Sequence, residues 1–254
     1  LVLWQVNLGE ADRILTLLTA DRGRLDVRAT GVRRSARRFG GLDLFVQVDV
    51  ALVPGKTPPR LAEAEVRRDF SGLRADVLGL ALASYAAELL RQAAQEEQES
   101  TDLFRLGVAA FESLEEGAAC AGWAQAFEGK LLHVLGARPA LRRCAVTGAP
   151  ASAPMRWSPS AGGILCGEGL AEDPSARSID PVTVTLLDEC LRTPLRDQPG
   201  IAWTPAASRR AAEAMRSFLD QHVGPPGKAW RFLQGMLPLL LVALCGCAVA
   251  DDGV

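Results

Sequence analysis

The first 70 residues alternate apolar and polar side chains in short runs, which is the pattern of half-buried β-strands. The alternation is clearest at residues 25–30 and 44–53. Five such strands leave no room for crossover helices, so we predict an antiparallel sheet closed into a small barrel. The predicted strands are residues 1–6, 14–19, 25–30, 44–53 and 60–70, and a helix remains an alternative for the last.

From Ser71 onward the apolar residues recur every three or four positions, which is typical of helices. The first helix should end in the charged run 95–99, and two more should cover 101–116 and 118–135. Asp180 and Thr204 each precede a proline, as N-caps of helices often do, so we predict that further helices begin there. The fold class is therefore α+β.

This pattern divides the chain into a barrel domain, residues 1–70, and a helical domain, residues 71–233. Residues 137–180, rich in proline and glycine, form an irregular insert in the helical domain. Residues 234–254 form an apolar tail of doubtful status. Within it, residues 236–250 are 15 apolar or small side chains, short of the ~20 that span a bilayer. The tail either packs on the helices or comes from an appended neighbouring reading frame.

Charge adds a second signal, because seven arginines and one acidic residue lie between Arg22 and Arg38. The whole chain has a formal net charge of −2, so this short stretch is strongly cationic on an otherwise acidic protein. Such a patch favours binding to a polyanion, most plausibly nucleic acid. The alternative is a solvated loop that contacts only acidic residues of the same protein.

Other features narrow the class of protein. The six cysteines are sparse for 254 residues, which predicts a reducing, cytoplasmic setting rather than a disulfide framework. No export signal or membrane partner is expected. His133 and His222 stand singly, and the sequence carries no phosphate-binding glycine loop or nucleophile motif, so we expect no enzymatic activity.

Two sequence blocks carry a family resemblance. Residues 9–19, GEADRILTLLT, are similar to a block near the start of the bacterial recombination mediator RecO, and residues 31–42, GVRRSARRFGGL, resemble the basic block that follows it there. The resemblance implies an N-terminal oligonucleotide/oligosaccharide-binding (OB) fold and a helical C-terminal domain. It also implies binding of single- and double-stranded DNA, annealing of complementary strands, and loading of recombinase on DNA coated by single-strand binding protein (SSB).

Implied partners are RecR and the acidic C-terminal tail of SSB, in the cytoplasm and close to the nucleoid. We predict a DNA-binding surface in and around the basic stretch and a second basic surface on the last helix. Trp4 and Phe45 are weaker candidates for base stacking. The primary set is Arg22, Arg24, Arg28, Arg33, Arg34, Arg37, Arg38 and Phe39, and the second set is Arg209, Arg210 and Arg216.

Many members of that family carry two Cys-x2-Cys pairs that bind zinc in the insert. Here Cys144 and Cys166 keep the first position of each pair, while Thr147 and Gly169 occupy the second. Structural zinc takes four nitrogen or sulfur ligands, so we expect a degenerate zinc-ribbon-like insert and no cofactor. The alternative function is a non-catalytic protein-interaction adaptor whose OB fold has lost DNA binding.

Overall fold

The computed structural model describes residues 1–33, 41–53, 55 and 58–236. The chain divides into two compact units, residues 1–117 and 118–254. The predicted division at residue 70 stays a prediction. Among the described helices, none combines the length and the apolar character needed to cross a bilayer. Residues 237–254, which make up most of the apolar tail, lie outside the described part.

The first unit contains a five-stranded sheet with the order β1-β2-β3-β5-β4. The fifth segment is a strand and not a helix. The β3–β5 pair is parallel, so the expectation of a wholly antiparallel sheet was wrong at this one pairing. The strands are β1 (Val2–Leu8), β2 (Asp12–Thr19), β3 (Gly23–Ala29), β4 (Gln47–Val53) and β5 (Arg60–Arg68).

The first strand in this order, β1, is also hydrogen-bonded through Val2 to the residues that precede the last strand, β4. Its N–H donates to the Val46 carbonyl at 3.0 Å, and its carbonyl accepts from the Phe45 N–H at 2.9 Å, just before β4 begins. Alternate residues of the strands, including Leu15 and Val27, fill the interior, because successive side chains of a strand point to opposite faces. The sheet thus encloses its own apolar core, as a small barrel does.

Two helices complete the first unit, α1 (Val77–Ala93) and α2 (Thr101–Glu115). The helix predicted from Ser71 begins later, because residues 71–74 form a short 3-10 turn. Asp76 then caps α1, accepting hydrogen bonds from the N–H groups of the second and third helical residues. A carboxylate there satisfies backbone donors that have no partner within the helix.

The second unit contains α3 (Trp123–Val134), α4 (Pro181–Arg192) and α5 (Pro205–His222), and residues 228–236 are also helical. Both predicted caps are confirmed. The Asp180 side chain accepts from the Thr183 N–H at 2.9 Å, and the Thr204 hydroxyl accepts from the Ala207 N–H at 3.2 Å. The proline that follows each cap is already restricted to a helical φ and needs no hydrogen-bond partner for its nitrogen.

The insert is more regular than its composition indicated. It holds a small antiparallel sheet of order β7-β6-β8, formed by β6 (Met155–Ser158), β7 (Gly163–Cys166) and β8 (Arg177–Ile179). These strands have three or four residues each, too few for a periodic pattern to be recognised. The indole N–H of Trp157 donates to the Ser217 hydroxyl at 3.1 Å, which ties the insert to α5.

Candidate nucleic-acid interface

Two of the predicted DNA-binding arginines lie at the turn from β2 to β3. Arg22 Nη2 is 3.2 Å from Glu97 Oε1, and Arg24 Nη2 is 2.6 Å from Glu96 Oε1. The two acids belong to the charged run 95–99 after α1. All four side chains keep substantial exposure, and such surface pairs contribute only about 0–1 kcal/mol. A phosphate group could therefore compete for these guanidinium groups.

Gly23 is required at this turn. Its φ is +62°, and a Cβ built on it would lie 2.3 Å from the Gln95 carbonyl oxygen and 2.4 Å from that of Gln98. The adjacent Arg24 N–H donates to the same Gln95 carbonyl at 2.9 Å. The hairpin and the segment after α1 are thus in backbone contact, which a side chain at this position would disrupt.

Asp12 connects the end of β3 to the start of the basic segment, residues 31–38. Its Oδ2 accepts from Nε and Nη2 of Arg28 at 3.1 and 2.7 Å, and its Oδ1 accepts from the Gly31 N–H at 2.8 Å. The Asp12 side chain is largely buried, whereas Arg28 is about half exposed. The carboxylate therefore orients Arg28 and anchors the backbone where the basic segment begins.

Arg33 continues this anchoring. Its backbone N–H donates to the Ala11 carbonyl at 3.0 Å, and its Nη1 donates to the Gly9 carbonyl at 3.1 Å. Residues 9–12 and 31–33 are thus in direct contact, although some twenty positions separate them. The first residues of the two blocks that carry the family resemblance form one structural feature at the β1–β2 turn.

The remaining members of the primary set lie outside the described residues. They are Arg34, Arg37, Arg38 and Phe39. Their assignment to a DNA-binding surface stays a prediction, as does that of the four described arginines. What the structure adds is the position of Arg33, which contacts the β1–β2 turn.

The two weaker stacking candidates have opposite surroundings. Phe45 is only 4% exposed and packs edge-on against Phe111, with 5.3 Å between ring centroids, so its ring belongs to the core. Trp4 is 47% exposed on β1, with the Arg91 guanidinium 5.6 Å from its ring centroid. Of the two, only Trp4 is available to a ligand.

The second basic surface needs a correction. Arg209 and Arg210 are exposed at the start of α5, and Arg210 pairs with Asp180 at 2.8 Å. Arg216 is 8% exposed and therefore does not belong to an exposed polar face. Its Nη2 donates to the Gly224 carbonyl at 2.8 Å, and its guanidinium lies over the ring of Trp230. The residues after α5 cover this side of the helix, which the sequence of α5 alone does not reveal.

The two remaining cysteines of the insert are both buried. Burial by itself raises the pKa of the Cys144 thiol, but hydrogen bonds from the Thr147 side chain and from the backbone at Thr147, Cys166 and Val146 lower that pKa to about 6. Hydrogen bonds to a charged group favour its ionised form. Thr147, which stands where a second thiolate of the pair would be, thus stabilises the first.

The residues present do not fit a structural zinc ion. A Cβ at Gly169 would lie 2.6 Å from Cys144 Sγ, so the sulfur fills space next to the position where another cysteine would be needed. Two thiols, a hydroxyl and a glycine fall short of four nitrogen or sulfur ligands. Throughout the described residues, no group of three or more His, Cys, Asp or Glu side chains is placed to hold a metal.

The strand order and the closure at Val2 define the class of protein: an OB-fold barrel followed by helices, with residues 31–33 held against the β1–β2 turn. Family comparison agrees with this class. Residues 1–70 match the family described as Recombination protein O N terminal, and residues 74–231 match Recombination protein O C terminal. The chain belongs to the recombination protein O (RecO) family.

Individual relatives are similar along nearly the whole chain. A DNA repair protein RecO from Anaeromyxobacter sp. (strain K) is 37% identical over 243 residues, covering 94% of this chain and 96% of the relative. Those from Geobacter metallireducens and Desulforudis audaxviator are each 32% identical, covering 94% and 89% of this chain and 96% and 91% of the relatives. The resemblance read from residues 9–19 and 31–42 is therefore confirmed.

Proposed function

We propose that this protein acts in recombinational DNA repair as a non-enzymatic mediator. It binds single- and double-stranded DNA through the barrel, anneals complementary strands, and helps to load recombinase on DNA coated by SSB. Its partners are RecR and the acidic tail of SSB, for which Arg209 and Arg210 offer exposed positive charge. Its location is the cytoplasm, in association with the nucleoid. Membership of the RecO family and the name that the relatives carry, DNA repair protein, support this proposal.

The anchoring of the basic segment is the observation that carries the DNA-binding part. Asp12, Ala11 and Gly9 hold residues 31–33 against the β1–β2 turn. Arg33 is therefore held at a defined point on the barrel, and Arg34, Arg37 and Arg38 follow it in the sequence. Arginine guanidinium groups match phosphate oxygens in geometry and stay charged at every physiological pH.

Annealing requires no catalytic group. Two strands must be held close together while their phosphate repulsion is screened, and base pairing then supplies the driving force. A concentrated cationic surface provides that screening. We therefore propose no cofactor, and in particular no zinc in the insert, since Thr147 and Gly169 take the places of two ligands.

Replacement of Arg33, Arg34, Arg37 and Arg38 by alanine tests the proposal. We expect the variant to lose annealing of complementary oligonucleotides while its circular dichroism spectrum stays unchanged. For single-stranded DNA, the slope of log K against log salt concentration should become less negative by about 0.7 for each phosphate that the variant no longer neutralises. A variant with Arg60, Arg67 and Arg74 replaced provides a control at other exposed arginines of the same unit. Annealing that survives in the four-arginine variant would contradict the site.

The adaptor alternative is favoured by one observation, the pairing of Arg22, Arg24 and Arg28 with acidic side chains. An adaptor would bind no DNA, or bind it with an affinity indifferent to salt. Fluorescence anisotropy with a labelled oligonucleotide at two salt concentrations distinguishes the two functions. The mediator requires an affinity that falls steeply as the salt concentration rises.

A further inference from the structure

The outward side of β1 carries a row of exposed apolar side chains. Trp4, Val6 and Leu8 are 47%, 51% and 42% exposed, and they lie on one face because side chains of a strand alternate. We call these three residues the β1 stripe. Along a strand, alternate side chains are separated by about 6.8 Å, so the stripe presents a line of apolar contacts at regular intervals.

The neighbouring strands extend the same face. Trp4 lies opposite Thr16, and Val6 lies opposite Ile14 on β2. Ile14 in turn lies opposite Arg28 on β3. The outer face over strands 2 and 3 is where OB folds generally bind oligonucleotides. The stripe is therefore continuous with the surface on which a nucleic acid strand would be expected.

Guanidinium groups flank the β1 stripe on three sides. Arg91 lies over the Trp4 ring at 5.6 Å, Arg28 lies two strands away from Val6, and Arg33 is bonded to the Gly9 carbonyl beyond Leu8. The face also carries acids, since Asp12 pairs with Arg28 and Asp26 accepts from the Thr16 hydroxyl. The charge is thus placed around the apolar row and not on it.

We propose that the β1 stripe is a stacking platform for the bases of single-stranded DNA, with the Trp4 indole against one base. The inference rests on the proposed DNA-binding function and deepens it. An exposed indole on a barrel face offers stacking to any base, because every base has a π-face. Flanking guanidinium groups suit the sugar-phosphate chain, whereas a duplex keeps its bases stacked on each other. The stripe should therefore distinguish single strands from duplexes.

The test uses the full chain with three probes: an oligo(dT), an abasic oligonucleotide of the same length, and a duplex. Replacing Trp4 with alanine should weaken oligo(dT) binding by about tenfold, since stacking contributes about 1–3 kcal/mol per base. Binding of the abasic probe and of the duplex should change by less than about twofold. The salt dependence should keep its slope, because the variant neutralises the same phosphates as the wild type.

Fluorescence provides a direct readout. All five tryptophans lie in the described part of the chain, and Trp4 is the most exposed. Oligo(dT) should quench the emission of the wild-type protein, and the quenching should disappear in Trp4→Phe, whose ring retains part of the stacking affinity. Phe232→Ala removes a comparably exposed aromatic from the other unit, and it should leave both the quenching and the affinity unchanged.

The outcomes separate the platform from the proposed function. If wild-type protein binds oligo(dT) but Trp4→Ala binds it equally well, the platform is wrong and DNA binding stands. If Trp4→Ala weakens binding of the abasic probe as much as that of oligo(dT), Trp4 supports the barrel rather than a base, and the platform is again wrong. If the wild-type protein binds none of the probes at low salt, the DNA-binding function itself fails.

Discussion

Substitution of Asp12 by asparagine tests whether Asp12 affects DNA binding by anchoring residues 31–33 or only through its negative charge. Among the described residues, the carboxylate accepts two hydrogen bonds from Arg28 and one from the Gly31 N–H. Asparagine has nearly the same volume but no charge. Its NH2 group replaces one carboxylate oxygen, so that a donor would face the N–H of either Arg28 or Gly31. Since Arg28 is half exposed, its share is worth about 0.5–1 kcal/mol, and the bond from Gly31 adds about 1 kcal/mol. We expect the free energy of unfolding to fall by about 2 kcal/mol.

The effect on DNA affinity is the discriminating measurement. Removing a negative charge beside a cationic surface should strengthen DNA binding if charge alone matters. If Asp12 acts by anchoring, the variant loses one attachment of residues 31–33 to the barrel, and Arg33 must be positioned again when DNA binds. That ordering costs about 0.5–1.5 kcal/mol per side chain, so we expect the affinity for oligo(dT) to fall about threefold to tenfold.

Asp26→Asn is the matched control, because Asp26 carries the same charge on the same face. Its Oδ1 accepts a hydrogen bond from the Thr16 hydroxyl, and asparagine can still accept that bond. This variant should bind DNA as tightly as the wild type or slightly more tightly. Urea denaturation and anisotropy titrations of both variants complete the test. Tighter binding by Asp12→Asn would refute the anchoring argument.

Two further predictions concern stability. Gly23→Ala should lower the free energy of unfolding by about 2–3 kcal/mol, because of left-handed backbone strain and the clash with the Gln95 carbonyl. Gly9 also has a positive φ, but the space around its Cβ is open. Gly9→Ala should therefore lower the free energy of unfolding by only about 1 kcal/mol. Equal losses would contradict the steric argument. Cys144 has a folded pKa of about 6 against 9.0 for an ordinary thiol, so its stabilisation is complete above pH 9 and is lost as the pH falls through 6. Urea titrations should show this decline in the wild type but not in Cys144→Ala. EDTA should leave the midpoint of urea unfolding unchanged, and one bound zinc per chain would contradict the prediction that the insert holds no metal.

Much of the fold followed from local patterns. The alternation at residues 25–30 placed β3, and the helical period placed α2, whose start at Thr101 was predicted to the residue. Asp180 and Thr204 cap helices through bonds that span only three residues, so the necessary information lies within a few positions of the chain. The family could likewise be read from residues 9–19 and 31–42.

The surroundings of individual side chains could not be read in this way. The apolar run at the start of the chain gave no sign that Trp4 is exposed while Phe45 is buried. The helical pattern of α5 did not show that Arg216 is covered, because the covering group, Trp230, lies fourteen positions away in the sequence. The short strands of the insert were not predicted for a related reason, because each strand is too short to show a periodic pattern.

The order of strands and helices along the chain, the family, and the concentration of arginines near the barrel can all be predicted from the sequence. These properties depend on side-chain periodicity and on composition, both of which act over a few neighbouring residues. Three other features are visible only in the folded protein. Asp12 and Gly9 hold the start of the basic segment, Glu96 and Glu97 pair with the hairpin arginines, and β1 exposes an apolar stripe. Charge pairing and burial depend on distances in space, and folding brings these groups together from positions far apart in the chain.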